Sequence, residues 1–205
     1  MKQKHFIDSH KGATAFACLG LMQHFDQWDN PTAWVYLALH GTYGALWVAK
    51  SNIYPDRNWE KETPFWYGLV IWGALTLYWT APFLICSEGL QMPYWWLAIC
   101  ISSYIVGVFL HFASDMQKHI SLQLKPGLIT TGLWSRIRNP NYFGELLIYL
   151  GFVAIPMHWF PLSALGVMIA FYWLPNMIRK DKSLSRYPEW DAYKKRSWCF
   201  IPFVW

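Results

Sequence analysis

The chain has 205 residues, of which 55% are hydrophobic, 20% aromatic and only 14% charged. Soluble domains carry roughly a quarter charged residues, so about 20 solvating side chains are missing, which excludes a disordered chain and argues against a water-soluble monomer. Net charge is +5 and mean hydropathy a modest +0.15, but the 15 Trp and 12 Tyr pull that average down while favouring the membrane interface.

In chain order, Lys2, Lys4 and Lys11 precede an apolar run at 12–25. This outline resembles a signal peptide, yet Gln23-His24-Phe25-Asp26 offers no small-residue cleavage site. Further apolar runs follow at 32–49, 65–86, 94–112, 142–157 and 160–178, giving six expected transmembrane helices. The last two are joined by Pro156-Met157-His158-Trp159-Phe160-Pro161, short enough only for a tight helical hairpin. A polar insertion at 115–141 and a basic tail from 179 onward are where aqueous chemistry fits. All 17 basic residues sort to one side of this six-span arrangement, and the opposite loops hold only Asp26, Asp29 and Glu88. By the positive-inside rule both termini are expected in the cytoplasm. The expected fold is therefore an all-α, polytopic integral membrane protein of a single membrane domain, with 1–114 as four N-terminal spans and 115–205 as a separate functional region. The Trp and Tyr at span ends, among them Trp28, Trp59, Trp66, Trp134 and Trp159, read as interfacial anchors.

Cys18, Cys86, Cys100 and Cys199 are far apart, so neither a disulfide framework nor a metal site is indicated. The chain also lacks a glycine-rich dinucleotide fingerprint and a phosphate-binding loop. Nucleic acid is not expected as a partner, because the basic residues border lipid spans. Ionisable groups in spans are costly and therefore informative, and His40, His111, Asp115 and Glu145 qualify. His40 and Tyr43 lie three apart on one helical face, a pair able to give a proton to a substrate oxygen or to form a hydrogen-bonded core. Gly41 and Gly44 beside them allow another helix to approach closely. Arg136 and Arg138, next to the helix start at Asn141, make a receptor for phosphate or carboxylate. The tail either meets anionic lipid or folds back over this segment to enclose a phosphate-bearing cofactor.

Asp115-Met-Gln-Lys118, Thr131-Gly-Leu-Trp134, Arg138-Asn-Pro-Asn-Tyr-Phe-Gly-Glu145, Tyr187-Pro-Glu-Trp-Asp-Ala-Tyr193 and Phe200-Ile-Pro-Phe203 together resemble the C-terminal domain of the steroid 5α-reductase and sterol reductase superfamily. The isoprenylcysteine carboxyl methyltransferases share that architecture. Asn139 stands where both branches usually have histidine, and Lys180-Asp181-Lys182-Ser183-Leu184 departs from the methyltransferase Glu-Glu element. The reductase resemblance implies NADPH on the cytoplasmic side, held by Asp115, Lys118, Arg138, Asn141, Tyr142, Glu145, Arg179, Asp181 and Tyr193. It implies hydride transfer to an activated alkene in a lipid-soluble substrate, with Glu145 and Tyr142 at the reacting end. His40 and Tyr43 are the expected proton donors on the residues' own chemistry. The alternatives are an S-adenosylmethionine-dependent methyltransferase, of the isoprenylcysteine carboxyl or phospholipid type, and a non-catalytic membrane scaffold.

Overall fold

The computed structural model describes residues 1–56 and 58–204; Arg57, counted above among the loop basics, and Trp205, in the apolar ending, lie outside the described residues. Among the described residues the secondary structure is helical, apart from isolated bridges at Lys2 with Glu62 and Ile137 with Trp198. We label the helices α1 (Gln3–His24), α2 (31–53), α3 (Phe65–Ser87), α4 (Tyr94–Leu124), α5 (Pro140–Val153), α6 (Trp159–Leu184) and α7 (Trp190–Lys195). The stretches at 32–49, 65–86, 94–112 and 160–178 fall within α2, α3, α4 and α6, whereas 12–25 runs one residue past α1 and 142–157 four residues past α5. By length and composition, α3, α4 and α6 are long and apolar enough to cross a membrane. On α3, Phe65, Trp66, Leu69 and Val70 are more than half exposed, as are Ile99, Ile105, Val106 and Phe109 on α4. Left in water, each would forgo roughly 1.5–3 kcal/mol of burial energy, so these faces suit hydrocarbon and the chain reads as an integral membrane protein.

Two compact units emerge: Met1–Tyr104 with Tyr149–Leu165, and Ile105–Ile148 with the chain from Gly166 onward. In the first unit, the start of α1 is tied down by Gln3 N–H donating to the Lys61 carbonyl and Thr63 N–H to that of Met1, both within 3.0 Å. Lys2 and Lys4 pair with Glu60 at 2.6 and 2.5 Å, and these bonds hold its carboxyl below the usual range. Asn30 caps α2 by accepting from Thr32 N–H at 2.9 Å, with Pro31 preset at the first helical position.

Two interruptions shape this unit. A π turn at Leu37–Gly41 inserts an extra residue into α2. In α3, Pro82 removes the N–H that the Tyr78 carbonyl would receive in a regular helix, and the chain tightens to 3₁₀ at Leu77–Trp79. The Tyr36 hydroxyl donates to that Tyr78 carbonyl at 3.1 Å. Gly44 lets α2 approach α1, since a Cβ there would run into the Lys11 carbonyl. The expectation of close helix contact at Gly41 and Gly44 is met, with α1 as the neighbour.

Lys11 and Lys50 depart from the sequence reading. Both were counted with polar flanks, yet both lie inside helices and are buried at 5% and 6% exposure. Aromatic faces compensate each ammonium: Tyr43 and Trp47 for Lys11, at 4.1 and 4.2 Å to the ring centres, and Trp47 for Lys50 at 4.9 Å.

In the second unit, α4 and α5 pack through Gly107 and Gly144, where a Cβ at Gly107 would meet the Gly144 carbonyl and Ile148 N at 2.7 and 2.6 Å. A π turn at Ile169–Trp173 precedes Pro175 in α6 and accommodates the helix donor that this proline lacks.

Candidate functional site

The polar centre of the second unit is built around the short 3₁₀ turn Gly132–Trp134. Gln117 on α4 donates to the Thr131 carbonyl at 2.9 Å and accepts from Leu133 N–H at 3.1 Å. The turn therefore needs Gly132: its φ is +57°, and a Cβ would clash with the Gln117 amide. One side chain thus binds the Asp115-Met-Gln-Lys118 element to Thr131-Gly-Leu-Trp134.

Trp134 is only 4% exposed, which corrects its reading as an interfacial anchor. Its indole N–H donates to the Ser114 carbonyl at 3.1 Å, its own carbonyl accepts from the Tyr193 hydroxyl at 2.5 Å, and its ring faces the Lys180 ammonium at 4.3 Å. A tryptophan committed on three sides is spent on the site rather than on lipid. Burial pushes the Tyr193 phenol up to about 12.

The tail folds back onto this region. Ile137 and Trp198 form a parallel bridge, with Arg138 N–H donating to the Trp198 carbonyl and Trp198 N–H to that of Arg136, both at 2.8 Å. Arg138, 7% exposed, sends Nε to Asp181 Oδ2 at 3.1 Å and Nη1 to the Ser197 carbonyl at 2.5 Å. Lys180 donates to the Arg138 carbonyl and to Asn139 Oδ1, while Asn139 Nδ2 donates to the Cys199 carbonyl at 2.8 Å. Burial and the nearby Asp181 carboxylate push the Cys199 thiol up.

Of the residues singled out in sequence, Asp115, Lys118 and Asp181 lie within electrostatic reach of Lys180, and Arg138 and Asp181 within reach of Tyr193. His111 donates from Nδ1 to the Asn141 carbonyl at 3.0 Å, and its Nε2 lies 3.9 Å from Asp115 Oδ2. Tyr142 packs against Trp173 with ring centres 5.7 Å apart, and Glu145 is half-buried one turn into α5. Arg179 is exposed and turned to Asn176 at 2.5 Å. Gln117, Trp134, Ser114 and Lys180 were absent from the sequence-based site. Only the spacing of the first two within motifs offered a signal for them.

Two oxygens bear on ligand fit. Asn141 Oδ1 and Asp181 Oδ1 are buried with no hydrogen-bond partner among the described residues. Buried acceptors of this kind are costly and suit a ligand's amide or hydroxyl donors.

In the first unit His40 and Tyr43 are both buried, but they are not each other's partners. His40 Nδ1 is 2.7 Å from the Tyr36 hydroxyl, and its ring stacks on Phe152 at 4.1 Å. With the Tyr36 hydrogen given to the Tyr78 carbonyl, His40 Nδ1–H donates to Tyr36 and leaves Nε2 as an acceptor. Tyr43 instead lies against Lys11.

A family described as "Protein of unknown function (DUF1295)" matches residues 56–196, more than half of the chain. The chain belongs to the DUF1295 family. The matched range takes in every residue of the cofactor set named above and leaves out Lys11, His40 and Tyr43. The Delta(14)-sterol reductase of Methylotuvimicrobium alcaliphilum is 22% identical over 160 residues, a match covering 68% of this chain and 37% of that protein. The DUF1295 chain thus spans well under half the length of this relative, and the likeness agrees with the sterol reductase motifs.

Proposed function

We propose that the protein is an integral membrane reductase that uses NADPH to saturate an activated carbon–carbon double bond in a lipid-borne, steroid-like substrate. The distant relationship to a Delta(14)-sterol reductase carries this reading. Six spans with both termini and the cofactor site on the cytoplasmic side complete it, supported by the one-sided sequence placement of the basic residues other than the helix-buried Lys11 and Lys50.

NADPH supplies a hydride when bound. The residues of the second unit fit it in kind. Lys118 and Arg179 bring positive charge for phosphates, and Asp115 offers a carboxylate. Asn141 Oδ1 and Asp181 Oδ1 are acceptors awaiting donors. Arg138 and Tyr193 hold Asp181 and the Gly132–Trp134 turn in place. Glu145 and Tyr142 are the proposed contacts at the reacting end. His40 and Tyr43 are the proposed proton donors.

The test is thermal stabilisation of detergent-purified protein by NADPH and, separately, by S-adenosylmethionine. Ligand linkage predicts about 2.7 kcal/mol of stabilisation at 100 times the dissociation constant. A response to NADPH, with turnover of a sterol carrying a C14 double bond, is expected. A response to S-adenosylmethionine alone would overturn the reading in favour of a methyltransferase, and a response to neither would favour a non-catalytic scaffold.

A further inference from the structure

The tail that folds back onto Trp134 and Arg138 also has an outward side. Inward, Asp181 is bound to Arg138, and Trp190, Tyr193, Cys199 and Phe200 are buried, the first two lying three apart on one face of α7. Outward, Lys182, Arg186, Lys194, Lys195 and Arg196 are exposed, and the exposed carboxylates among them are Glu189 and Asp191. Among the described residues none of these five cations is paired with a carboxylate. The tail then ends in two apolar side chains left open, Phe203 at 85% exposure and Val204 at 76%, with the Phe203 ring leaning on Trp198 at 4.6 Å between centres.

Both ends of this segment are pinned close to apolar helix. Lys182 follows Ile178, which is 60% exposed on α6 and suited to hydrocarbon, by four residues, or roughly 6 Å of helix rise. At the other end Trp198 is bridged to Ile137, and Asn139, next to the first residue of α5, donates to the Cys199 carbonyl. Phe203 and Val204 come four and five residues after that anchor. A segment tethered in this way runs along the bilayer boundary rather than out into bulk water.

We propose that the outward side of residues 182–204 docks on the anionic phospholipid surface of the cytoplasmic leaflet, with the five cations against headgroup phosphates and Phe203 and Val204 sunk at the acyl boundary; this rests on the membrane topology proposed above. Charge selects the occupant, since five cations stand against two carboxylates. The apolar pair selects a bilayer over a soluble polyanion, which would leave both side chains in water. Lipid contact and the inward bonds act on one stretch of chain: the Tyr193 hydroxyl holds the Trp134 carbonyl while Lys194 and Lys195, next in sequence, face outward. Anionic lipid therefore keeps the tail closed on the turn beneath it.

The experiment places the protein in lipid discs of phosphatidylcholine, alone or with about 30% phosphatidylglycerol, and follows trypsin cleavage after Lys194, Lys195 and Arg196. Anionic lipid should slow cleavage about tenfold or more, and about 0.5 M salt should remove most of the difference. Lys182→Gln combined with Arg186→Gln leaves the cleaved bonds intact and should shrink the protection several-fold, with the melting temperature in neutral discs unchanged. Phe203→Ser combined with Val204→Ser should lose the part of the protection that survives high salt. Equal cleavage of wild type in both discs overturns the docking, as does full protection in the Lys182 and Arg186 variant. Equal protection in neutral discs by soluble glycerophosphoglycerol assigns the cations to a free phosphate ester and overturns it too. Topology is read separately, in sealed membrane vesicles at high salt, where trypsin should reach Lys195 from the cytoplasmic face. Cleavage from the opposite face alone overturns the topology, and the assignment to the cytoplasmic leaflet with it, whatever the discs show.

Discussion

Lys180 and Asn139 are joined by a 2.9 Å bond from the ammonium to the amide oxygen, and the same ammonium reaches the Arg138 carbonyl at 2.8 Å. Asn139, fully buried, passes the link on by donating to the Cys199 carbonyl. Replacing it with alanine leaves the Cys199 carbonyl and the Lys180 ammonium each short of a partner. Asn139→Ala should cost about 2–3 kcal/mol. Denaturant titration in detergent would show the loss, and trypsin should cut the tail near Lys194 to Arg196 faster than in wild type. An unchanged midpoint and cleavage rate would mean that the link carries no weight.

Two glycines give opposite outcomes for one substitution. Gly44→Ala pushes a Cβ into the Lys11 backbone carbonyl, whereas Gly73 has nothing within 4 Å of its added carbon. The first should destabilise by roughly 1–3 kcal/mol through overpacking. The second should be neutral or stabilise by up to about 1 kcal/mol from helix propensity. Paired melting curves of the two variants check both signs.

Glu145→Gln keeps the shape of the side chain and removes its charge. Under the proposed function, the NADPH concentration for half-maximal thermal stabilisation should rise at least about tenfold, the scale of one charge-assisted hydrogen bond. The unliganded melting temperature should stay within a few degrees of wild type. Equal NADPH affinity in the variant would restrict Glu145 to a structural part.

Tyr193 yields a pH signature. Its phenol is raised from about 10 to about 12 by burial, so between those values the folded state keeps a proton that the unfolded state has lost. The stabilisation is complete below pH 10 and disappears as pH rises through 12. Tyr193→Phe should be less stable at neutral pH, because its bond to the Trp134 carbonyl is gone, and should show a shallower alkaline decline. Parallel slopes for the two proteins across that window would refute the assignment.

The helices were legible because hydrocarbon imposes long apolar runs, and each expected run coincides with a helix over most of its length. Their ends were less so. Lys11 and Lys50 read as flanks because the sequence does not reveal that Tyr43 and Trp47 close around them. The His40 pairing was missed for a related reason. Helical spacing puts both Tyr36, four residues before, and Tyr43, three after, on the His40 face, and the Tyr36 hydroxyl is the one that reaches the ring. In the second unit the motifs marked the right stretch of chain, since Gln117 and Trp134 sit inside them. Which of their side chains bind one another depends on the tail returning across some 60 residues of sequence, a relation that no local pattern encodes.

The bridge between Ile137 and Trp198 also sets an order of events during synthesis. The turn at Gly132–Trp134 takes its hydroxyl bond from Tyr193, and Arg138 takes its carbonyl acceptors from Lys194 and Ser197. Helices can enter the bilayer as they emerge from the ribosome, but this segment must wait, unlatched, until the chain beyond residue 193 has been released. Fastening later-made residues onto an earlier loop makes assembly of the second unit a step that follows the synthesis of α5 and α6.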